Sequence, residues 1–131
     1  MKSYQVRIEV LLEPIGVPDV VITCNDQRTE TILTEPTWIK FNFESQQKSN
    51  QLTVEHRNRK PNDGVTAVVV KSVLLNGING SKITYQGIYY PENKEPLRDT
   101  YIAWNGIWVL DYTVPVYTWI HKIQNLGWIY D

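Results

Sequence analysis

Hydrophobic and polar residues alternate along most of this chain. Every even-numbered residue from Tyr4 to Leu12 is apolar, and most of the residues between them are polar. A β-strand points successive side chains to opposite faces, so this pattern predicts a strand with one buried face. Similar patterns predict ten short strands, at Tyr4–Leu12, Asp19–Cys24, Arg28–Leu33, Thr37–Phe43, Leu52–His56, Val65–Leu75, Ile83–Tyr90, Thr100–Ala103, Ile107–Thr113 and Val116–Ile120.

Turn signals separate these segments. Asn76-Gly77 predicts a turn after the most apolar segment, and Asn105-Gly106 predicts a hairpin between two later strands. Helical spacing of apolar residues is confined to a short turn near Trp119–Gln124. Many short strands with regular turns predict an all-β fold, an antiparallel and jelly-roll-like β-sandwich, in a single domain over residues 1–131.

Charge and hydropathy exclude two classes of partner. The 131 residues include 13 basic and 14 acidic side chains, which gives a net charge of −1. A nearly neutral chain has no long-range attraction for nucleic acid or anionic lipid. No stretch approaches the roughly 20 apolar residues that cross a bilayer. The sequence therefore predicts neither a nucleic-acid partner nor membrane insertion.

Signatures of catalysis are missing from the sequence. No G-x-S-x-G, P-loop or G-x-G-x-x-G motif is present. His56 and His121 lack metal-binding spacing, and His56 is predicted as a surface or strand-end histidine, while the lone Cys24 is predicted in the core. The carboxylates considered for glycoside hydrolysis fall mostly on predicted solvated strand faces: Glu9, Glu55, Asp99 and Asp111. We therefore expect no enzyme activity.

The loop at residues 57–64 is the candidate for a metal site. Asn58 and Asp63 supply oxygen atoms of the kind that Ca²⁺ prefers. Arg57 and Arg59 lie in the same loop and would repel a cation. The sequence predicts no cofactor, with calcium at Asn58 and Asp63 as the alternative.

Residues 7–77 are similar to the calcium-dependent xylan-binding carbohydrate modules. The shared order is a strand at Leu52–Asn58, a polar loop, and an apolar strand that ends in a turn at Val70–Gly77. The metal-binding acids of that family are not matched one for one, because Arg57 and Arg59 replace polar or acidic positions. The resemblance implies a β-sandwich of the carbohydrate-binding-module type.

The chain also resembles small virion proteins of tailed phages, particularly marine ones. The segments that carry this resemblance are Val73–Ile78, Tyr85–Pro91, Trp104–Leu110 and Pro115–Ile120. It implies a structural or tail-associated role in a virion that is assembled in the host cytoplasm.

Aromatic residues are concentrated in the last third of the chain, where Tyr101–Asp131 holds four of the five Trp. Ile107–Thr113 carries apolar residues on both faces, which predicts burial of both or cover by a neighbouring subunit. Trp128 and Tyr130 either cover the chain's own sandwich or pack on another protein. The candidate interface or ligand residues are Trp104, Trp108, Tyr117, Trp119, Trp128 and Tyr130.

Two functions are consistent with these sequence features. The first is a non-enzymatic virion structural protein, at the tail, baseplate or capsid surface, that contacts other virion proteins or copies of itself. The alternative is a carbohydrate-binding module that recognises host-surface glycans. Sugar binding predicts exposed aromatic rings with polar neighbours on one face. Assembly predicts an apolar patch that is rich in aromatic rings.

Overall fold

The computed structural model describes residues 3–62, 64–79 and 81–123. These residues form ten strands and two short helices. In chain order the elements are β1 (Tyr4–Ile15), β2 (Asp19–Cys24), β3 (Gln27–Ile32), β4 (Thr37–Ser45), β5 (Ser49–Arg57), β6 (Ala67–Leu75), β7 (Ile78–Asn79), α1 (Ser81–Thr84), β8 (Ile88–Pro91), β9 (Tyr101–Ile102), β10 (Gly106–Thr113) and α2 (Val116–Ile123).

The strands form two antiparallel sheets of five strands each. Sheet A has the order β4-β1-β6-β7, and β9 also pairs with β6. Sheet B has the order β3-β2-β5-β10-β8. More than half of the described residues lie in strands. The predicted antiparallel β-sandwich is confirmed, and neither described helix is long and apolar enough to cross a membrane.

The core lies between the two sheets and is filled by the inward residues of the alternating strands. Each large apolar side chain buried there contributes about 1.5–3 kcal/mol. The predicted core residues Val68, Val70 and Val73 are all buried. Cys24 is also buried, as predicted, and burial raises the pKa of its thiol to about 11.

Strand β10 buries one face only. Trp108, Leu110 and Tyr112 point inward and are fully or almost fully buried. Ile107 and Asp111 on the opposite face are exposed. The expectation that both faces are buried is therefore wrong, because the outer face of sheet B is open along this strand.

The strand predicted at Val116–Ile120 is instead the helix α2. Val116, Trp119 and Ile120 are buried on one side of it, and Ile123 is partly buried beside them. This i, i+3, i+4, i+7 spacing is that of an amphipathic helix. The helix begins directly after Pro115, a residue that is well suited to the first turn because it lacks a backbone N–H.

Two further predictions fail near the end of the chain. The segment Ile83–Tyr90 is not one strand, because α1 ends at Thr84 and β8 begins only at Ile88. Asn105-Gly106 does not close a hairpin, because β9 pairs with sheet A whereas β10 pairs with sheet B. The pair instead carries the chain from one sheet to the other.

The turn at Asn76-Gly77 is confirmed as the hairpin between β6 and β7. Asn76 and Gly77 both have a positive φ, of 51° and 81°, and Leu75 pairs with Ile78 across the turn. A hairpin turn whose two central residues have positive φ has a backbone twist that matches the right-handed twist of the strands it joins.

Candidate functional site

Three connections meet at one end of the sandwich: residues 16–18 between β1 and β2, residues 58–66 between β5 and β6, and residues 103–105 between β9 and β10. Arg59 and Asn105 join the last two. The backbone N–H of Arg59 donates to Asn105 Oδ1 at 2.8 Å, and Asn105 Nδ2 donates to the Arg59 carbonyl at 2.8 Å. The second and third connections are therefore fixed to each other.

The guanidinium group of Arg59 is held against Trp104. Its Nε donates to the Thr66 carbonyl at 3.0 Å, and its Nη2 donates to the Gly64 carbonyl at 2.9 Å. Its central carbon lies 4.6 Å from the centroid of the Trp104 ring, within the range of a cation–π interaction. Trp104 is half-buried, and the guanidinium group covers one face of its ring.

The backbone of Trp104 is fixed from the other side by Tyr89. The Tyr89 hydroxyl donates to the Trp104 carbonyl at 2.6 Å and accepts from the Trp104 N–H at 3.0 Å. Burial raises the pKa of Tyr89, so its hydroxyl stays protonated and remains a donor at neutral pH.

A cleft of about 310 Å³ is lined in part by Arg59, and its polar lining includes Asp19. Asp19 Oδ1 accepts from Arg57 Nε at 3.0 Å, and Oδ2 accepts from Asn58 Nδ2 at 2.8 Å. These two contacts, the Asn58 hydrogen bond first, lower the pKa of Asp19. Arg57 also reaches Glu30 at 2.8 Å, so one guanidinium group pairs with two carboxylates on neighbouring strands.

His56 lies under the cleft and is almost fully buried, which corrects the expected surface position. Its Nδ1 is 3.1 Å from the Ile102 carbonyl, and a carbonyl can only accept, so Nδ1 carries the proton. Its Nε2 has no hydrogen-bond partner among the described residues. Burial lowers the pKa of His56, so the ring is neutral at pH 7.

The described residues around the cleft do not suit calcium. Ca²⁺ takes six to eight oxygen ligands, usually with several carboxylates. Asp19 is the only carboxylate among the described residues that line the cleft, and Asn58 turns its amide nitrogen toward it. No group of three or more His, Cys, Asp or Glu side chains suited to a metal occurs within residues 3–62, 64–79 and 81–123. Asp63, the second calcium candidate, lies outside the described residues.

The three other aromatic candidates that the structure describes do not join Trp104 in an exposed cluster. Trp108 has an exposed fraction of 0%, so it offers no surface to a ligand or subunit. Trp119 is almost buried and packs edge-on against Tyr112, with ring centroids 6.2 Å apart. Tyr117 is 54% exposed and lines a cleft with Arg7, toward the opposite end of β1. Trp128 and Tyr130 lie outside the described residues.

Sequence reasoning missed Trp38, the one Trp outside the aromatic last third. Its ring is 43% exposed on the outer face of sheet A, whereas its neighbour Ile39 is buried. The strand predicted at Thr37–Phe43 already implied this orientation, since side chains alternate along a strand.

Two solved structures share this fold. One is described as "vCBM60 in complex with galactobiose"; it has a TM-score of 0.54 and 15% identity, and the match covers 79% of this chain and 96% of that one. The other is a selenomethionine form of vCBM60, described with a circular permutation that links two families of calcium-dependent carbohydrate binding modules. It has a TM-score of 0.56 and 13% identity, and covers 80% of this chain and 89% of that one.

At such low identity these likenesses establish the fold alone, which is that of carbohydrate-binding modules. No family model and no curated protein sequence matches the chain.

Proposed function

We propose that this protein is a non-catalytic carbohydrate-binding module that recognises a glycan at the loop end of the sandwich without calcium. The observation that carries the proposal is the Trp104 ring, held by Arg59 beside a polar cleft. The fold supports it, because both similar structures are carbohydrate-binding modules and one holds galactobiose. No described contact favours the virion role over glycan binding.

The chemistry of the cleft suits a sugar. The C–H face of a sugar ring packs on a flat aromatic or guanidinium surface, and its hydroxyl groups need both donors and acceptors. Arg59 and Trp104 supply the flat surface. Asp19 supplies acceptor oxygens, and Asn58 and Arg57 supply donors, so both kinds of partner line one cleft.

Calcium has no part in this proposal. The guanidinium group of Arg57 already lies 3.0 Å from Asp19 and 2.8 Å from Glu30, and Arg28 lies 3.4 Å from Glu30, so the two carboxylates have two basic partners. The guanidinium group of Arg57, rather than a calcium ion, therefore serves as the positively charged partner of Asp19 and Glu30.

Binding to a panel of glycans that includes galactobiose and xylo-oligosaccharides, in the presence of a chelator, tests the proposal. We expect at least one glycan to bind, and Trp104→Ala to weaken that binding about tenfold or more, as removal of a central aromatic anchor does. Tyr90→Ala, which removes an exposed ring on the outer face of sheet B, is the matched control. The absence of any binding, or equal binding by Trp104→Ala, would refute the proposal.

A further inference from the structure

The edge of sheet A has a notch halfway along β6. On one side β6 pairs with β1 from Ala67 to Leu75. On the other side β9 pairs only with Val68 and Val69, and β7 pairs only with Leu74 and Leu75. Between these two short strands lies a cleft of about 420 Å³.

Polar and aromatic side chains line this notch: Lys71, Ser72, Asn79, Thr84, Tyr85 and Thr100. Two hydrogen bonds hold its sides in place. Ser72 Oγ donates to Asn79 Oδ1 at 3.1 Å, and the Val70 N–H donates to the Thr100 carbonyl at 2.9 Å. Tyr85 is 57% exposed, so its ring forms an accessible wall.

Two more exposed rings lie on the outer face of sheet A near the notch. Trp38 pairs with Leu11, and Leu11 pairs with Ser72 in the notch, so these three side chains form one row across the sheet. Tyr101 is 39% exposed and pairs with Val69. At strand spacings of about 4.8 Å, Trp38 lies roughly 10 Å from Ser72. The surface from Trp38 to the notch is therefore longer than one sugar ring, which suits an oligosaccharide.

We propose that the notch and this outer face form a second carbohydrate-binding surface, which takes an uncharged, extended glycan chain. Tyr85, Tyr101 and Trp38 supply the rings on which sugar faces pack. The hydroxyl and amide groups of Ser72 and Asn79 supply partners for the sugar hydroxyls. This inference rests on the proposed carbohydrate-binding function but concerns residues separate from Trp104.

The charge of this face and the short free edge of β6 favour an uncharged glycan over an ionic ligand or a peptide. On its outer face, sheet A carries three basic and three acidic side chains along β1, β4 and β6, so the face has no excess of one charge to attract an ionic ligand: Arg7, Lys40 and Lys71, and Glu9, Glu13 and Glu44. A peptide that adds to a sheet edge needs a continuous row of free backbone groups. Here β7 and β9 occupy both ends and the Val70 N–H already bonds Thr100, so only Lys71, Ser72 and Val73 remain, fewer than the about five or six residues of a typical strand.

Soluble galactan and xylan are the probes for this second surface, with binding measured by affinity electrophoresis and calorimetry. In each assay, Trp38→Ala and Tyr85→Ala are compared with wild type and with Tyr90→Ala. We expect each of the first two variants to bind polysaccharide about fivefold or more weakly, and Tyr90→Ala to match wild type. Combined with Trp104→Ala, Tyr85→Ala should remove the binding that remains.

The outcomes separate the two proposals. Wild-type binding that is lost in Trp104→Ala but unchanged in Trp38→Ala and Tyr85→Ala would overturn the second surface and leave the first proposal standing. An absence of polysaccharide binding by wild type would overturn both. A library of unstructured heptapeptides is the remaining probe, and peptide binding that Tyr85→Ala abolishes, without any response to polysaccharide, would identify a peptide site instead.

Discussion

The backbone of Gly87 lies directly against the indole ring of Trp108, so closely that a Cβ atom at residue 87 would overlap the ring. The indole is fully buried at the centre of the sandwich, and its Nε1 has no hydrogen-bond partner among the described residues. A residue without a side chain just before β8 thus makes room for the largest side chain in the core.

Gly87→Ala should therefore destabilise the protein by about 1–3 kcal/mol, because overpacking forces side chains and backbone to shift. For a chain of this size, that corresponds to a fall in melting temperature of roughly 3–12 °C. Thermal unfolding followed by circular dichroism measures it. Gly64→Ala measures a different cost, the strain of an alanine at a positive φ, because no atom lies within 4 Å of its added methyl group. An unchanged melting temperature in Gly87→Ala would mean that the contact with Trp108 does not constrain residue 87.

Val70→Asp should leave the protein unfolded or insoluble. Val70 is buried between the sheets, and an unpaired charge there costs several kcal/mol against a total stability of roughly 5–15 kcal/mol. Lys71→Asp, at the exposed neighbouring position, should remain folded. The amount of soluble protein and the circular dichroism spectrum of each variant test this prediction. A Val70→Asp variant with the wild-type melting temperature would contradict the assigned inward face of β6.

Calcium should not stabilise the protein. A site filled at a hundredfold excess over its Kd would add about 2.7 kcal/mol to the stability and raise the melting temperature by several degrees. Because the positive charge of Arg57 lies 3.0 Å from Asp19 and would repel a cation, we expect equal melting temperatures in millimolar calcium and in chelator. A rise with calcium that the chelator reverses would show that Asp63 or another residue completes a metal site.

Stability should fall as the pH drops below the ordinary pKa of histidine. Burial lowers the pKa of His56 from 6.5, so the unfolded chain takes up a proton there while the folded chain does not. The contribution of neutral His56 is complete above about pH 6.5 and is lost progressively as the pH falls toward the lower folded pKa.

Melting curves between about pH 7.5 and about pH 5 measure this dependence. His56→Gln should flatten the curve in that window. Arg59 and Asp19 also act on His56, in opposite directions, and both keep their charge over this range. An unchanged slope in His56→Gln would assign the dependence to another group.

The sequence predicted those elements whose alternation was unambiguous. Strands β1 to β6 and the buried Val68, Val70 and Val73 follow from a period of two. The prediction failed at Val116–Ile120, because adjacent apolar residues fit either a strand or a helix until Ile123 is included in the pattern. It also failed at Asn105-Gly106, since whether such a turn joins one sheet or two depends on pairing partners far along the chain.

The site was predictable only in part. Trp104 and Asn58 were identified from residue type and position in loops. The role of Arg59 was not, because the Gly64 and Thr66 carbonyls that hold it are placed by the folded loop rather than by any side-chain pattern. Trp108 was misassigned for a related reason: residues on both faces of β10 are apolar, and only the stacking of the two sheets decides which face is inside.

The paired hydrogen bonds between Arg59 and Asn105 have a consequence for how quickly a ligand can bind. The loop that carries Arg59 loses its conformational entropy when the protein folds, so that little ordering remains for the moment of binding. For the proposed glycan, association would then depend on diffusion and orientation, without a slow closing step. In the proposed site, Asn105 would therefore act on the rate of binding through the backbone of Arg59 rather than through contact with the ligand.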